Sequence, residues 1–221
     1  MKIFLDCSDP VFIKEAFDTG LVDGITTNPS LMLKNGHDPV SVIKEISEIF
    51  PFHSSISAEV VGETTEQMLN MADEYVDIGP NITIKVPLTP AGLKACKSLS
   101  EDDIPVNVTL CFSTAQAILA SKAGATYVSP FVGRLDDNSI AGLGLIKDID
   151  EVFRVQAVHK TRILSASIRY VNSVSQSFAS GADVVTMPPS VFDKMYNHVL
   201  TDKGLEIFDA DHKATLDLIN K

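Results

Sequence analysis

Lys85 lies in the run Ile82-Thr83-Ile84-Lys85-Val86-Pro87, and of fourteen lysines it is the one flanked on both sides by apolar, strand-forming residues. A lysine on an open strand carries its ammonium to water along its own stem. Inside a closed sheet it has no such route, and burial disfavours the charged form of an amine. A neutral amine attacks carbonyl carbon, which is the chemistry of Schiff-base lysines. Aldol cleavage through an imine also needs a base for a hydroxyl proton and an acid–base group to handle water and the carbinolamine. Asp6 and Glu59 are the two carboxylates that end strand-like segments. Each has a plainer reading: a helix N-cap before Pro10 for Asp6, where Asp9 is better placed, and a buried ion pair with Lys85 for Glu59. Residue type and position alone leave a catalytic Lys85 and a structural Lys85–Glu59 pair both open.

The elements that would position these groups recur along the whole chain. Short apolar runs rich in β-branched residues fall at 2–6, 24–27, 54–60, 82–86, 105–110, 127–132, 162–168 and 183–186. Between them lie segments with helical spacing, such as Val40-Ile43-Ile46-Ile49 and Met68-Leu69-Ala72-Tyr75-Val76. Pro10 and Pro39 suit first helical turns behind Ser8 or Asp9 and Asp38, and Gly20, Gly124 and Gly181 suit helix ends at positive φ. Eight strand–helix units predict an α/β fold, a (β/α)8 TIM barrel with its site at the carboxyl ends of the strands. A doubly wound sheet would show a glycine-rich turn after its first strand, where this chain has Asp6-Cys7-Ser8-Asp9-Pro10. The expected organisation is a single barrel domain over 1–221. Residues 201–221 form a tail of one or two helices that either covers the barrel or packs on a neighbouring subunit.

Side chains on a strand alternate between faces. Asp6, Glu59, Lys85, Thr109, Phe131 and Ser167 fall late in their strands and share parity with Phe4, Ser57, Thr83, Asn107, Ser129 and Ser165 respectively. In four strands both members are polar. A purely structural lumen would be filled by branched apolar side chains, so this convergence predicts a functional mouth.

Composition excludes several classes. Hydrophobic residues make up 45% of the 221, enough for a sizeable core. A net charge of −11 with no dense basic run argues against nucleic acid, and an anionic substrate would need local positive charge. That makes the placement of the four arginines (Arg134, Arg154, Arg162, Arg169) informative. No apolar run approaches the roughly 20 residues that cross a bilayer, and charge arrives too early in Met1–Asp6 for a signal peptide. Cys7, Cys96 and Cys111 form no disulfide framework, so a cytoplasmic protein is expected. His37, His53, His159, His198 and His212 show no metal-ligand spacing, and Gly142-Leu143-Gly144 reads as an isolated glycine pair in a loop. No metal or other cofactor is expected.

Gly24-Ile25-Thr26-Thr27-Asn28-Pro29-Ser30, Ile84-Lys85-Val86-Pro87, Asn107-Val108-Thr109-Leu110 and Pro130-Phe131-Val132-Gly133-Arg134 resemble, in order and spacing, the small-subunit group of the transaldolase family, which also contains fructose-6-phosphate aldolases. The resemblance spans residue 6 to about residue 188. It implies that Lys85 is the Schiff-base lysine, Asp6 the acid–base for carbon–carbon cleavage, and Glu59 with Thr109 the holders of a catalytic water. It also implies that Asn28, Asn107 and Ser129 bind a dihydroxyacetone unit, and that Arg134, Ser167 and Arg169 grip a phosphate. Guanidinium forks suit that last task. Homo-oligomers, commonly decameric rings, belong to the same expectation.

Two positions sort the subgroups. The aldolases carry glutamine and tyrosine where this chain has Glu59 and Phe131, the transaldolase choice. The expected reaction is therefore transfer of dihydroxyacetone from sedoheptulose 7-phosphate to glyceraldehyde 3-phosphate, a pentose phosphate pathway step giving erythrose 4-phosphate and fructose 6-phosphate. The alternatives are a lyase releasing free dihydroxyacetone and a non-catalytic sugar-phosphate binder.

Overall fold

A computed structural model describes residues 1–36 and 38–219, Asn35 by its backbone alone. His37, Asn220 and Lys221, named above in the histidine set and the tail, lie outside the described residues. Elements follow in the order β1 (Lys2–Asp6), α1 (Pro10–Asp18), β2 (Gly24–Thr26), α2 (Pro29–Asn35), α3 (Pro39–Ile49), β3 (Ser55–Glu59), α4 (Thr65–Val76), β4 (Ile82–Pro87), α5 (Pro90–Glu101) and β5 (Val106–Cys111). The second half runs α6 (Thr114–Lys122), β6 (Tyr127–Pro130), α7 (Val132–Asp136), α8 (Gly142–Val155), β7 (Arg162–Ser165), α9 (Val171–Ala179), β8 (Val184–Met187), α10 (Pro189–Lys194) and α11 (Val199–Ile219). Every strand pairs in parallel with its sequence neighbour, and β8 closes on β1, giving the expected (β/α)8 barrel.

Local chemistry sets the helix starts. Asp9, Asn28, Asp38, Thr89 and Ser113 each accept a backbone N–H at a helix N-terminus, and Thr64 with Gln67 forms a capping box. Asp9, not Asp6, therefore caps α1, which frees Asp6 for the lumen. Gly20, Gly124 and Gly181 have φ of +74°, +90° and +106°, as their places after helices required. The Gly142–Gly144 pair is not in a loop: Gly142 opens α8 and packs so close to Val132 that a Cβ would lie 2.4 Å from its carbonyl oxygen.

The outward faces of the strands, including Leu5, Ile25, Ile84, Val108 and Val185, pack under the helices in one continuous core. Each such aliphatic side chain contributes about 1.5–3 kcal/mol by leaving water. Inside the barrel a second, smaller cluster fills the floor: Phe4, Tyr127, Leu164, Ala166 and Val184. Phe4 meets Tyr127 edge-on, ring centres 5.9 Å apart. The register partner of Phe4 is Gly24, where a Cβ would stand 2.8 Å from the Phe4 ring and 2.5 Å from the Ser55 carbonyl oxygen.

The seventh strand departs from the expected parity. Ser165 points outward, its hydroxyl 2.9 Å from that of Ser177 on α9, while Leu164 and Ala166 face the lumen. β7 ends at Ser165, and Ser167 then turns at φ +61°, so it reaches the mouth by a bend and not by alternation. The sixth strand also stops early, at Pro130; Phe131 keeps a single parallel bridge to Ala166 and then caps the short helix α7. The tail is one helix, α11, with no buried residue; it does not cover the barrel. No described helix is long and apolar enough to cross a membrane.

Gly24→Ala should lower unfolding stability by about 3 kcal/mol or more, because neither a backbone oxygen nor an enclosed phenyl ring can yield. Urea unfolding reads this, with Gly204→Ala on α11 as a control whose added methyl meets nothing within 4 Å among the described residues. An unchanged midpoint for Gly24→Ala would contradict the packing described.

Candidate active site

Lys85 faces the lumen near the end of β4, with a relative exposure of 5%. Its Nζ stands 2.7 Å from Glu59 Oε2 and donates to the Thr27 carbonyl oxygen at 2.9 Å. Both partners follow from local structure. Glu59 is the register partner of Lys85 on β3. Thr27 is held by two bonds to the Ser57 carbonyl oxygen, one from its amide and one from its hydroxyl. An ammonium has three donors; two are taken by these acceptors, and the cavity lies above.

Polar side chains continue across β3 to β6 in steps set by the pleat. Ser55 bonds Thr83 at 2.8 Å, Asn107 donates to Ser57 at 3.2 Å, and Ser129 donates to Asn107 at 2.6 Å. Asp6 sits opposite at the end of β1, accepting from the Thr26 hydroxyl at 2.8 Å and from the Asn28 amide at 3.4 and 3.5 Å. Thr26 in turn lies 2.7 Å from Thr186 of β8. Thr109 Oγ1 is buried and has no hydrogen-bonding partner among the described residues.

Above these groups opens a cavity of about 420 Å³. Of the eleven residues expected at the site, Asp6, Asn28, Glu59, Lys85, Thr109, Ser129, Phe131, Arg134, Ser167 and Arg169 line it. Asn107 does not. It lies fully buried beneath Ser129 and fixes that hydroxyl from below. Sequence reading missed Thr26, Thr186, Leu110 and Lys34, all of which also line the cavity. Parity carried through the second and eighth strands would have found both threonines. Leu110 adopts φ +62° at a register shift in β5, and Lys34 depends on the course of α2, so neither leaves a mark in the sequence pattern.

The rim carries the positive charge. The Arg134 guanidinium lies over the Phe131 ring, 4.9 Å from its centre, and Phe112 meets that ring edge-on. Arg169 bonds Asp137 at 3.0 Å, both side chains being about half exposed. Such a pair is worth little in water, so Arg169 is free to exchange it for an anion. Gly133 allows this loop to close: a Cβ there would lie 1.9 Å from the Ser167 carbonyl oxygen and 2.8 Å from Arg169 Cγ. With Lys34, three cations surround the mouth of an otherwise acidic chain.

The cysteines are poor nucleophiles. Burial pushes Cys96 up to about 12 and Cys111 up to about 11, and burial likewise raises Cys7 beside Asp6. No cluster of metal-ligating side chains occurs among the described residues. The arrangement is thus an amine, two carboxylates and an unengaged hydroxyl at the base of a pocket whose rim can hold an anion.

The family model described as transaldolase/fructose-6-phosphate aldolase matches residues 3–220. A probable transaldolase of Paracoccus denitrificans is 54% identical over 215 residues, covering 97% of this chain and 98% of that protein. Proteins of the same name from Cereibacter sphaeroides and Caulobacter vibrioides are 51% and 48% identical, each over 97% of this chain and 97% and 98% of their own lengths. A barrel with a buried lysine at the mouth, matched almost end to end, belongs to the transaldolase/fructose-6-phosphate aldolase family.

Proposed function

We propose that the chain is a transaldolase that moves a dihydroxyacetone unit from sedoheptulose 7-phosphate to glyceraldehyde 3-phosphate, giving erythrose 4-phosphate and fructose 6-phosphate, within the pentose phosphate pathway. The observation that carries this reading is the buried Lys85 Nζ, 2.7 Å from Glu59, at the base of a cavity rimmed by Arg134 and Arg169. Lys85 attacks the ketose carbonyl carbon and water leaves, forming the imine. Glu59, in contact with Nζ, is the proton acceptor within reach, and the free Thr109 hydroxyl supplies the second hold on that water.

Asp6 takes the C4 hydroxyl proton as the C3–C4 bond breaks. The bonding pair moves to C3 and the imine nitrogen as an enamine, and C4 becomes the released aldehyde. The acceptor aldehyde then enters, C3 attacks it, and Asp6 returns the proton. Asn28 and Ser129, with Asn107 beneath, hold the hydroxyls of the three-carbon unit. Arg134, Ser167 and Arg169 take the phosphate, which binds the substrate end that does not react and aligns the end that does. Phe131 offers no hydroxyl to position hydrolytic water, which favours transfer over release of free dihydroxyacetone.

The proposal includes a cytoplasmic setting, supported by three free, buried cysteines, and a single barrel domain with a helical tail. It also includes assembly with further copies of the chain. α11 exposes Leu205, Phe208, Leu216 and Ile219 on one face, and such a stripe in water calls for a covering surface.

Borohydride with fructose 6-phosphate and no acceptor should add the mass of the reduced three-carbon dihydroxyacetone unit at Lys85; label elsewhere or none would sink the imine. Cleavage without an acceptor aldehyde should be slow beside transfer, and fast acceptor-independent release would favour the lyase. Thr109→Val should leave thermal stability unchanged or slightly higher, since its hydroxyl has no partner to lose, while turnover falls about tenfold or more. Full turnover in that variant would remove Thr109 from the mechanism. Phe208→Glu with Leu216→Glu should lower the mass in solution, read by light scattering, and an unchanged mass would exclude α11 from the interface.

A further inference from the structure

We infer that Thr186, at the lumen end of β8, is a positioning residue that acts through Thr26 to orient and polarise Asp6, an inference that rests on Asp6 being the acid–base of the carbon–carbon step. Thr26 donates to Asp6 Oδ1 at 2.8 Å, and its hydroxyl oxygen lies 2.7 Å from that of Thr186. An ionised carboxylate only accepts, and a threonine hydroxyl has a single proton. The Thr26 proton is committed to Asp6, so the proton in the second contact is that of Thr186. The direction is fixed: Thr186 to Thr26 to Asp6. Donation into a hydroxyl strengthens that hydroxyl as a donor, and both threonines are nearly fully buried, at 3% and 2% exposure, where this polarisation is least damped.

The surroundings argue that this is what the Thr186 hydroxyl is for. The lumen on this side is the apolar cluster of Leu164 from β7 and Ala166 just after it, Val184 from β8 itself and Phe4, the register partner of Thr186 on β1. Valine has the same shape as threonine and would fill that space without a polar atom to satisfy. A hydroxyl placed there costs free energy unless it is bonded, and its bond runs to Thr26.

The consequence for Asp6 is a choice of oxygen. Oδ1 receives the Thr26 hydroxyl and the Asn28 amide at 3.4 Å, whereas among the described residues Oδ2 receives only that amide, at 3.5 Å. Oδ2 is thus the oxygen that takes the substrate proton. As the substrate O–H and C3–C4 bonds break, the C4 carbonyl forms and Asp6 Oδ2 gains the proton; Thr26 and Thr186 keep theirs. The charged and titratable groups around Asp6 are Lys85 and Glu59 from β4 and β3, Lys34 from α2, and Arg134 and Arg169 at the rim. Cys7 and Asp9 follow it along its own segment. Thr186→Val alters none of these, so a change in pH behaviour reports the hydroxyl pair.

The test is steady-state kinetics of Thr186→Val with fructose 6-phosphate as donor and erythrose 4-phosphate as acceptor. The expected result is a kcat lowered about 5- to 10-fold with KM within about twofold. The acidic limb of the kcat/KM profile moves to higher pH, because the ionised carboxylate loses hydrogen-bond support. Borohydride trapping of fructose 6-phosphate on Lys85 stays intact, and Thr186→Ser restores kcat. Thr186→Ala, which cannot overpack the lumen, gives the same readout if the valine variant fails to fold. Wild-type kcat and pH profile in the valine and alanine variants, or a serine variant as slow as valine, would overturn the inference. Asp6→Asn separates the two levels: full turnover there removes the acid–base assignment, whereas its inactivity beside a silent Thr186→Val removes only the two-threonine relay.

Discussion

Lys85 carries an amine into the wall of a barrel whose strands leave no edge, and the structure around the mouth is organised by how that amine is held. A lysine of an open sheet extends to solvent, but here Nζ meets the Glu59 carboxylate at 2.7 Å and the Thr27 carbonyl oxygen at 2.9 Å. Parallel register brings Glu59 beside Lys85 without any loop. The second acceptor needs the chain to leave β2 at a fixed angle, and the two bonds from Thr27 to Ser57 fix it. A buried cation answered in this way is costly to disturb, which ties the ends of β2, β3 and β4 to one geometry.

The lumen divides into two halves with different tasks. Across β3 to β6, Ser55 pairs with Thr83, and separately Asn107 ties Ser57 to Ser129, so Ser129 reaches the cavity already aimed. From β6 across β7 and β8 to β1, the floor is apolar and closed by Phe4 against Tyr127, with Gly24 leaving the volume that the Phe4 ring occupies. Dry packing beneath a polar mouth keeps water out from below and lowers the local dielectric, so the ionic contacts above act more strongly.

The backbone is held in left-handed conformations at Leu110 and Ser167, both lining the cavity. Non-glycine residues hold such angles at a cost of about 1–3 kcal/mol each. The bulge at Leu110 and the turn at Ser167 each change where the chain leaves its strand, which pure alternation would not do. Gly133 completes the arrangement by letting α7 touch the Ser167 carbonyl, so Arg134 on α7 and Arg169 in the segment after β7 arrive at the same rim. A chain of net charge −11 thereby presents a cationic opening where a sugar phosphate would enter.

The sequence by itself determined the barrel, the cap at Asp38, and the lumen face of five of the six strands whose parity it set, because period-2 alternation and helix-end chemistry are local properties of a few neighbouring residues. It also brought Asp6, Glu59, Lys85 and Thr109 to one end, since parity and strand position suffice for that. The tertiary structure alone decided the rest. Ser165 faced outward, and Ser167 reached the mouth by a bend after its strand had ended; Asn107 settled below the cavity; Lys34 and Leu110 reached it through a helix course and a bulge that no periodicity records. The contact of Thr186 with Thr26 likewise needed barrel closure, because residues 160 positions apart meet only when the eighth strand pairs with the first.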